Sequence, residues 1–189
     1  MKIIFLDRDG VINKYPGDKL YVVSTGGYKF LPGAKKAIAE LNKAGFKVFI
    51  ISNQAGVGKG VFSPEALKRI TAKLLGGIKK AGGRIEQVIY CTHRPEENCA
   101  CRKPKAGSIN LVRKSYKFNP RKTFFIGDSI RDVETAHAAG LKSILVLSGR
   151  EKLENFKNWQ DTPEFIFKGL ASAVNYILQK QSVSLRGGL

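Results

Sequence analysis

Asp7 and Asp9 stand two residues apart, immediately after the apolar run Ile3-Ile4-Phe5-Leu6. Ser52-Asn53-Gln54 follows a second apolar run, KVFII at 47–51, and Arg102-Lys103-Pro104 precedes a helical stretch. Gly127-Asp128-Ser129 follows a third run, with Asp132 one helical turn further on. If these stretches meet, three carboxylates, a hydroxyl and a lysine share one rim. Carboxylates at that density repel unless a cation sits among them, and Mg²⁺ is suited because it takes oxygen ligands while sharing substrate phosphate. Two carboxylates so spaced can divide labour: Asp7 attacks phosphorus, and Asp9 protonates the leaving oxygen and later activates water. Ser52 and Lys103, with Asn53 and Gln54 beside them, can hold the phosphoryl oxygens. Asp128 can complete the metal's ligands, with Asp132 supporting it. Charge developing in an in-line displacement would then meet Mg²⁺, Lys103 and loop amides. Each piece alone is bland, since Asp-x-Asp and Gly-Asp are common turn and cap signals. Their joint occurrence at successive strand ends carries the weight.

A second constellation is Cys91-Thr92-His93 followed by Cys99-Ala100-Cys101, the pattern C-x-H-x5-C-x-C. Three cysteines cannot pair completely as disulfides, and these three lie within eleven residues. Three thiolates and an imidazole make a closed, tetrahedral structural Zn²⁺ site, which ties down a loop with little core of its own. The other histidine, His137, stands alone on a helical stretch and reads as structural or solvated.

The elements that must position these residues alternate. Strands are expected at 3–6, 47–51, 87–90, 123–126 and 143–147. Helices are expected from Pro32 to about 44, from the Ser63-Pro64 cap to about 80, and over 107–117, 129–139 and 168–179. Residues 13–31, 91–105 and 149–163 read as loops. Continuously apolar strands alternating with helices predict a doubly wound parallel α/β sheet with helices on both faces. Ligands bind such sheets at the carboxyl ends of the strands, where the residues above lie. The expected organisation is one domain over 1–180, with a zinc-bound loop at about 91–105 and a flexible tail at 181–189.

Of 189 residues, 43% are hydrophobic, enough for one sizeable core and too many for a wholly disordered chain. No apolar run approaches the roughly 20 residues that span a bilayer, and the apolar start meets Asp7 too early for a secretory segment. A cytoplasmic monomer is therefore expected. The formal charge of +18 attracts anions, whether phosphorylated metabolites or nucleic acid, but the cations are spread along the chain. A nucleic-acid end phosphatase or an anion-binding module is the rival class to a sugar-phosphate enzyme.

Phe5-Leu6-Asp7-Arg8-Asp9-Gly10-Val11-Ile12-Asn13 resembles the first motif of the haloacid dehalogenase (HAD) superfamily of phosphatases. Ile51-Ser52-Asn53-Gln54 is similar to its second motif, Lys103-Pro104 to its third, and Gly127-Asp128-Ser129-Ile130-Arg131-Asp132 to its fourth. The resemblance implies a Rossmann-like HAD fold and a Mg²⁺-dependent phosphatase working through an aspartyl-phosphate on Asp7. It also implies that the main-chain carbonyl of Asp9 ligates the metal, together with Asp7 and Asp128. No long cap insertion is present, which implies an open site. The DRDG motif, the cysteine loop and Cys101-Arg102-Lys103-Pro104 resemble the subgroup that comprises heptose-1,7-bisphosphate phosphatases and histidinol-phosphate phosphatases, the former matching better. A sugar bisphosphate brings a second anion, which Arg102 can bind bidentately with help from Lys59.

Overall fold

Strands that are apolar on both sides need cover on both faces, and the helices supply it. In the computed structural model, which describes residues 1–18 and 20–186 (the backbone alone for 156–158 and 181–186), strands and helices alternate along the chain. They are β1 (Ile3–Leu6), α1 (Ala34–Lys43), β2 (Lys47–Asn53), α2 (Pro64–Lys80), β3 (Gln87–Cys91), α3 (Gly107–Ser115), β4 (Phe124–Gly127), α4 (Ile130–Ala138), β5 (Lys142–Val146), β6 (Phe165–Phe167) and α5 (Leu170–Arg186). The strands form one sheet in the order β3-β2-β1-β4-β5-β6, and each neighbouring pair is parallel.

The two-residue period of a strand divides the core. Ile4, Leu6, Val48, Ile50, Ile126 and Ile144 point to one face, against Ile38 and Leu41 of α1, Ile70 and Leu74 of α2, and Ile177 of α5. Ile3, Phe5, Phe49, Ile51 and Phe125 point to the other, against Ile109 and Val112 of α3 and Ala136 of α4. The expected doubly wound sheet is therefore present. Between β1 and α1, the described residues of 7–33 form no helix and no strand, only bridges from Asp9 to Asn13 and from Asn13 to Phe30, and 27 residues are too few for a cap domain there. No helix among the described residues is long and apolar enough to cross a membrane.

Several boundaries differ from expectation for local reasons. The first helix starts at Ala34 rather than Pro32, because Gly33 takes φ 74°, outside the helical region. The Ser63-Pro64 start holds: the Ser63 hydroxyl accepts from the Ala66 N–H at 3.1 Å. Strand β2 continues past 51 to Asn53, pairing Ser52 with Tyr90 and Asn53 with Cys91. Strand β6 was not anticipated. Three residues are too few to show a period, and the strand is fixed by pairing with β5 and by Phe165 and Phe167 packing on Tyr176 of α5. Helix α5 runs to Arg186, so 181–186 are helical rather than a loose tail; the tail expectation for 187–189 lies outside the described residues. His137, part-exposed on α4, has its Nδ1 3.1 Å from Asp161 Oδ1 and its Nε2 3.3 Å from Ser143 Oγ.

The sheet order reverses at β1, which has β2 on one side and β4 on the other. Connections leave those strands toward opposite faces and open a crevice at their carboxyl ends.

Candidate active site

Asp7 is the first residue past β1, and its N–H still donates to the Ile126 carbonyl at 2.9 Å, so the ladder with β4 aims it into the crevice. Lys103 arrives from a distant loop and is clasped by the end of β2. The Asn53 amide donates to the Lys103 carbonyl at 3.0 Å and accepts from the Lys103 N–H at 3.1 Å. Lys103 Nζ then reaches Asp7 Oδ1 at 3.0 Å and Asp132 Oδ1 at 2.6 Å. Burial disfavours the charged ammonium, but Asp132 and Asp7 outweigh it and push its pKa above the usual lysine range.

Asp132 is occupied on both oxygens. Oδ2 accepts from the Asp128 N–H (3.2 Å), the Ser129 N–H (3.0 Å) and the Ser129 hydroxyl (2.8 Å), which caps α4. Gly127 allows this closeness, because a Cβ there would lie 2.1 Å from Asp132 Cβ. Asp128 is cradled in the same way. Its Oδ2 accepts from the Arg150 N–H at 2.7 Å, and a Cβ on Gly10 or Gly149 would lie 2.0 or 1.9 Å from that oxygen.

Carboxylate oxygens of Asp7, Asp128 and Asp132 lie within 4.8 Å of one another. Three buried carboxylates meet here, and among the described residues Lys103 is the one cation whose side chain pairs with any of them. Burial raises Asp7 to about 6 despite Lys103, and burial with the charges of Asp132 and Asp7 raises Asp128 well above the carboxylate range. A divalent cation fits this deficit. Asp132 is already committed to Lys103 and the α4 cap, so Asp7 and Asp128 are the side chains left to hold it.

Asp9 is fixed differently. Its Oδ1 accepts from Asn13 Nδ2 at 2.7 Å, and its Oδ2 from Gln54 Nε2 at 2.9 Å and Arg8 Nη2 at 2.8 Å. Gln54, expected to contact substrate, does not line the crevice: it is 1% exposed and its amide is spent on Asp9, Arg8 and Ser52. The side chain of Asn53 lies in the crevice wall but is spent on Lys103. The cleft, of about 480 Å³, is lined by Asp7, Asp9, Ser52, Lys59, Arg102, Lys103 and Asp128, so the structure brings these expected residues together. It also places Arg131 and Arg150 there, which the sequence reading missed. Arg131 sits in the first turn of α4, between Asp128 and Asp132 in the chain. Arg150 lay just past the fifth strand, the position that parallel-sheet geometry marks out.

The sulfur and imidazole groups converge as the spacing predicted. Cys91 Sγ lies 3.5 Å from Cys99 Sγ, Cys99 Sγ 3.4 Å from Cys101 Sγ, and His93 Nδ1 3.3 Å from Cys101 Sγ and 3.8 Å from Cys91 Sγ. A tetrahedral zinc with bonds of about 2.3 Å to sulfur implies ligand separations of about 3.7 Å, close to these. Burial pushes the Cys91 thiol up to about 12; at Cys99 burial also raises, but hydrogen bonds from Cys101 and Cys91 prevail and hold it at about 7. The loop is closed at both ends by one residue, since Cys91 pairs with Asn53 in the sheet and Lys103 is clasped by the Asn53 amide.

A HAD-hydrolase-like family model matches residues 100–173. D-glycero-beta-D-manno-heptose-1,7-bisphosphate 7-phosphatase of Pseudomonas putida is 35% identical over 178 residues, covering 94% of this chain and 100% of that protein. The enzyme of the same name from Neisseria meningitidis is 35% identical, covering 96% and 97%. The crystal structure of D,D-heptose 1,7-bisphosphate phosphatase from B. bronchiseptica, complexed with magnesium and phosphate, superposes with a TM-score of 0.87 at 33% identity, covering 95% of this chain and 99% of that one. With that fold, that crevice and this likeness over nearly its whole length, the chain belongs to the HAD-like phosphatases, in the family that contains these heptose-1,7-bisphosphate 7-phosphatases.

Proposed function

We propose that this chain hydrolyses the 7-phosphate of D-glycero-D-manno-heptose 1,7-bisphosphate through an aspartyl-phosphate on Asp7. The observation that carries this reading is the meeting of Asp7, Asp128 and Lys103 at the sheet's switch point. Asp7 attacks phosphorus in line while Asp9 gives its proton to the departing sugar oxygen. Asp9 then takes a proton from water, which attacks the same phosphorus and frees phosphate and the Asp7 carboxylate. Lys103 and Ser52 hold the phosphoryl oxygens, and Arg102 and Lys59 receive the phosphate that stays on the sugar. Mg²⁺ held by Asp7, Asp128 and the Asp9 main-chain carbonyl supplies positive charge beside the transferring group. Arg102 and Lys103 directly follow Cys101, so a zinc ion on Cys91, His93, Cys99 and Cys101 anchors two substrate cations as well as the loop.

Phosphate release with Mg²⁺, measured on both heptose bisphosphate anomers, histidinol phosphate and 3′-phosphorylated oligonucleotides, tests the reading. The heptose bisphosphate should exceed the others in kcat/KM by at least about tenfold, within the usual range for a lost charged contact. Preference for histidinol phosphate or for oligonucleotide ends would overturn it.

Two further outcomes are expected. Elemental analysis should find about one zinc per chain, and Cys101→Ser should lose it together with about tenfold or more of activity; a folded wild-type protein free of zinc would refute the loop assignment. The rise in melting temperature produced by Mg²⁺ should be larger at pH 7.5 than at pH 5.5. Asp7 with a pKa of about 6 must lose its proton to bind the ion, so binding strengthens as pH rises through that value. An equal shift at both values would count against Asp7 as a ligand.

A further inference from the structure

Arg8 lies between Asp7 and Asp9 in the chain, yet its side chain is 0% exposed and is the largest fully buried one among the described residues. Burying a guanidinium is costly unless it is paired and hydrogen-bonded. Its pairing is specific. Nε and Nη2 both reach Asp9 Oδ1, at 3.2 and 3.0 Å, and Nη2 also reaches Asp9 Oδ2 at 2.8 Å. Nη2 further donates to Gln54 Oε1 at 3.0 Å, and the same Gln54 amide donates from Nε2 to Asp9 Oδ2. The guanidinium lies 5.6 Å from the centre of the Tyr90 ring, and the Tyr90 hydroxyl is in turn 3.1 Å from Thr71 Oγ1 on α2.

Two carboxylates two residues apart thus have separate cations from separate directions. Asp7 is held by Lys103, which comes from the loop after Cys101, and Asp9 by Arg8, which is backed by Gln54 just past β2 and by Tyr90 of β3. A single shared cation would draw both carboxylates to one point, where neither could stand on its own side of a phosphorus atom. We infer that Arg8, braced by Gln54 and Tyr90, is a positioning residue that fixes the Asp9 carboxylate in the place from which it serves the leaving oxygen and then water. Direct contact with substrate is excluded by its burial. The inference rests on the roles given above to Asp7 and Asp9.

Kinetics on two leaving groups test it. With Arg8→Met, kcat/KM for heptose bisphosphate, whose alkoxide must be protonated, should fall about 100-fold, because misplacing a general acid forfeits its usual 10²–10⁴-fold contribution. With p-nitrophenyl phosphate the leaving group needs no proton, so kcat/KM should fall no more than about threefold. Its kcat should nevertheless drop, with a burst of nitrophenolate as the phosphorylated enzyme accumulates for want of a placed base. Arg8→Lys should recover part of the loss. Gln54→Met removes one brace while leaving Arg8 in place and should give the same split at smaller amplitude, which keeps the test decisive if Arg8→Met does not fold. Variants that fold but lower both substrates by one factor without a burst, or lower neither, would overturn the inference. Failure of the wild-type enzyme to turn over either substrate would instead refute the proposed function.

Discussion

Replacing Asp7 with Asn is expected to lower turnover by about 10⁴-fold or more while leaving the fold intact, because the amide cannot form the acyl phosphate. The fold should survive for a reason visible in the site. Asp7 is one of three buried carboxylates, and its charge is disfavoured by burial and by Asp132 and Asp9. Removing that charge relieves repulsion, and Lys103 keeps its shorter contact to Asp132, 2.6 Å against 3.0 Å to Asp7. The melting temperature should therefore be unchanged or higher in the absence of metal. Mg²⁺ should stabilise the variant less than the wild type, since one of its two side-chain ligands is gone. Steady-state kinetics, calorimetry with and without Mg²⁺, and trapping of phosphorylated protein by rapid acid quench would check this together. Residual activity within tenfold of wild type would remove Asp7 as the nucleophile.

Lys103→Met should be damaging in both activity and stability. The ammonium is the one cation in contact with Asp7 and Asp132 among the described residues, and the residue is 4% exposed. Breaking a buried pair by removing one partner costs about 3–5 kcal/mol, because the remaining charge is stranded. Activity should fall about 10³-fold, since a phosphoryl-oxygen contact and the anchor of Asp7 are lost together. The stability loss should depend on pH with a definite sign. Without Lys103, which lowers the Asp7 pKa, the carboxyl titrates above the present value of about 6. The variant is thus most destabilised when Asp7 is ionised, above that value, and recovers as pH falls and the proton returns. Denaturant melts at pH 8 and pH 5 would read this. A larger defect at pH 5 would contradict the pairing.

The chemistry-bearing residues were legible because buried strands show as continuous apolar runs and helices by their period. Asp7 and Ser52 directly follow an apolar run and Asp128 lies one residue further on, and a parallel sheet brings such positions to one edge. The cysteine cluster was legible because its four ligands lie within eleven residues, so local spacing alone constrained them. Strand β6 was not, since three residues carry no period and only β5 and α5 define their place.

The chain's order of residues sets most of its elements and the acidic, basic and sulfur groups at their ends. Which group faces which is settled by packing. Gln54 reads like a substrate contact in the chain but turns inward to Asp9. Asp132 reads in the chain as a support for Asp128, and the packing turns it to Lys103 and to the α4 cap. Arg8 has no apparent duty in the sequence, yet it holds Asp9 from inside the core. A side chain's partner is fixed by the packing of strands distant in sequence. Periodicity reports only the direction of a residue relative to its own element.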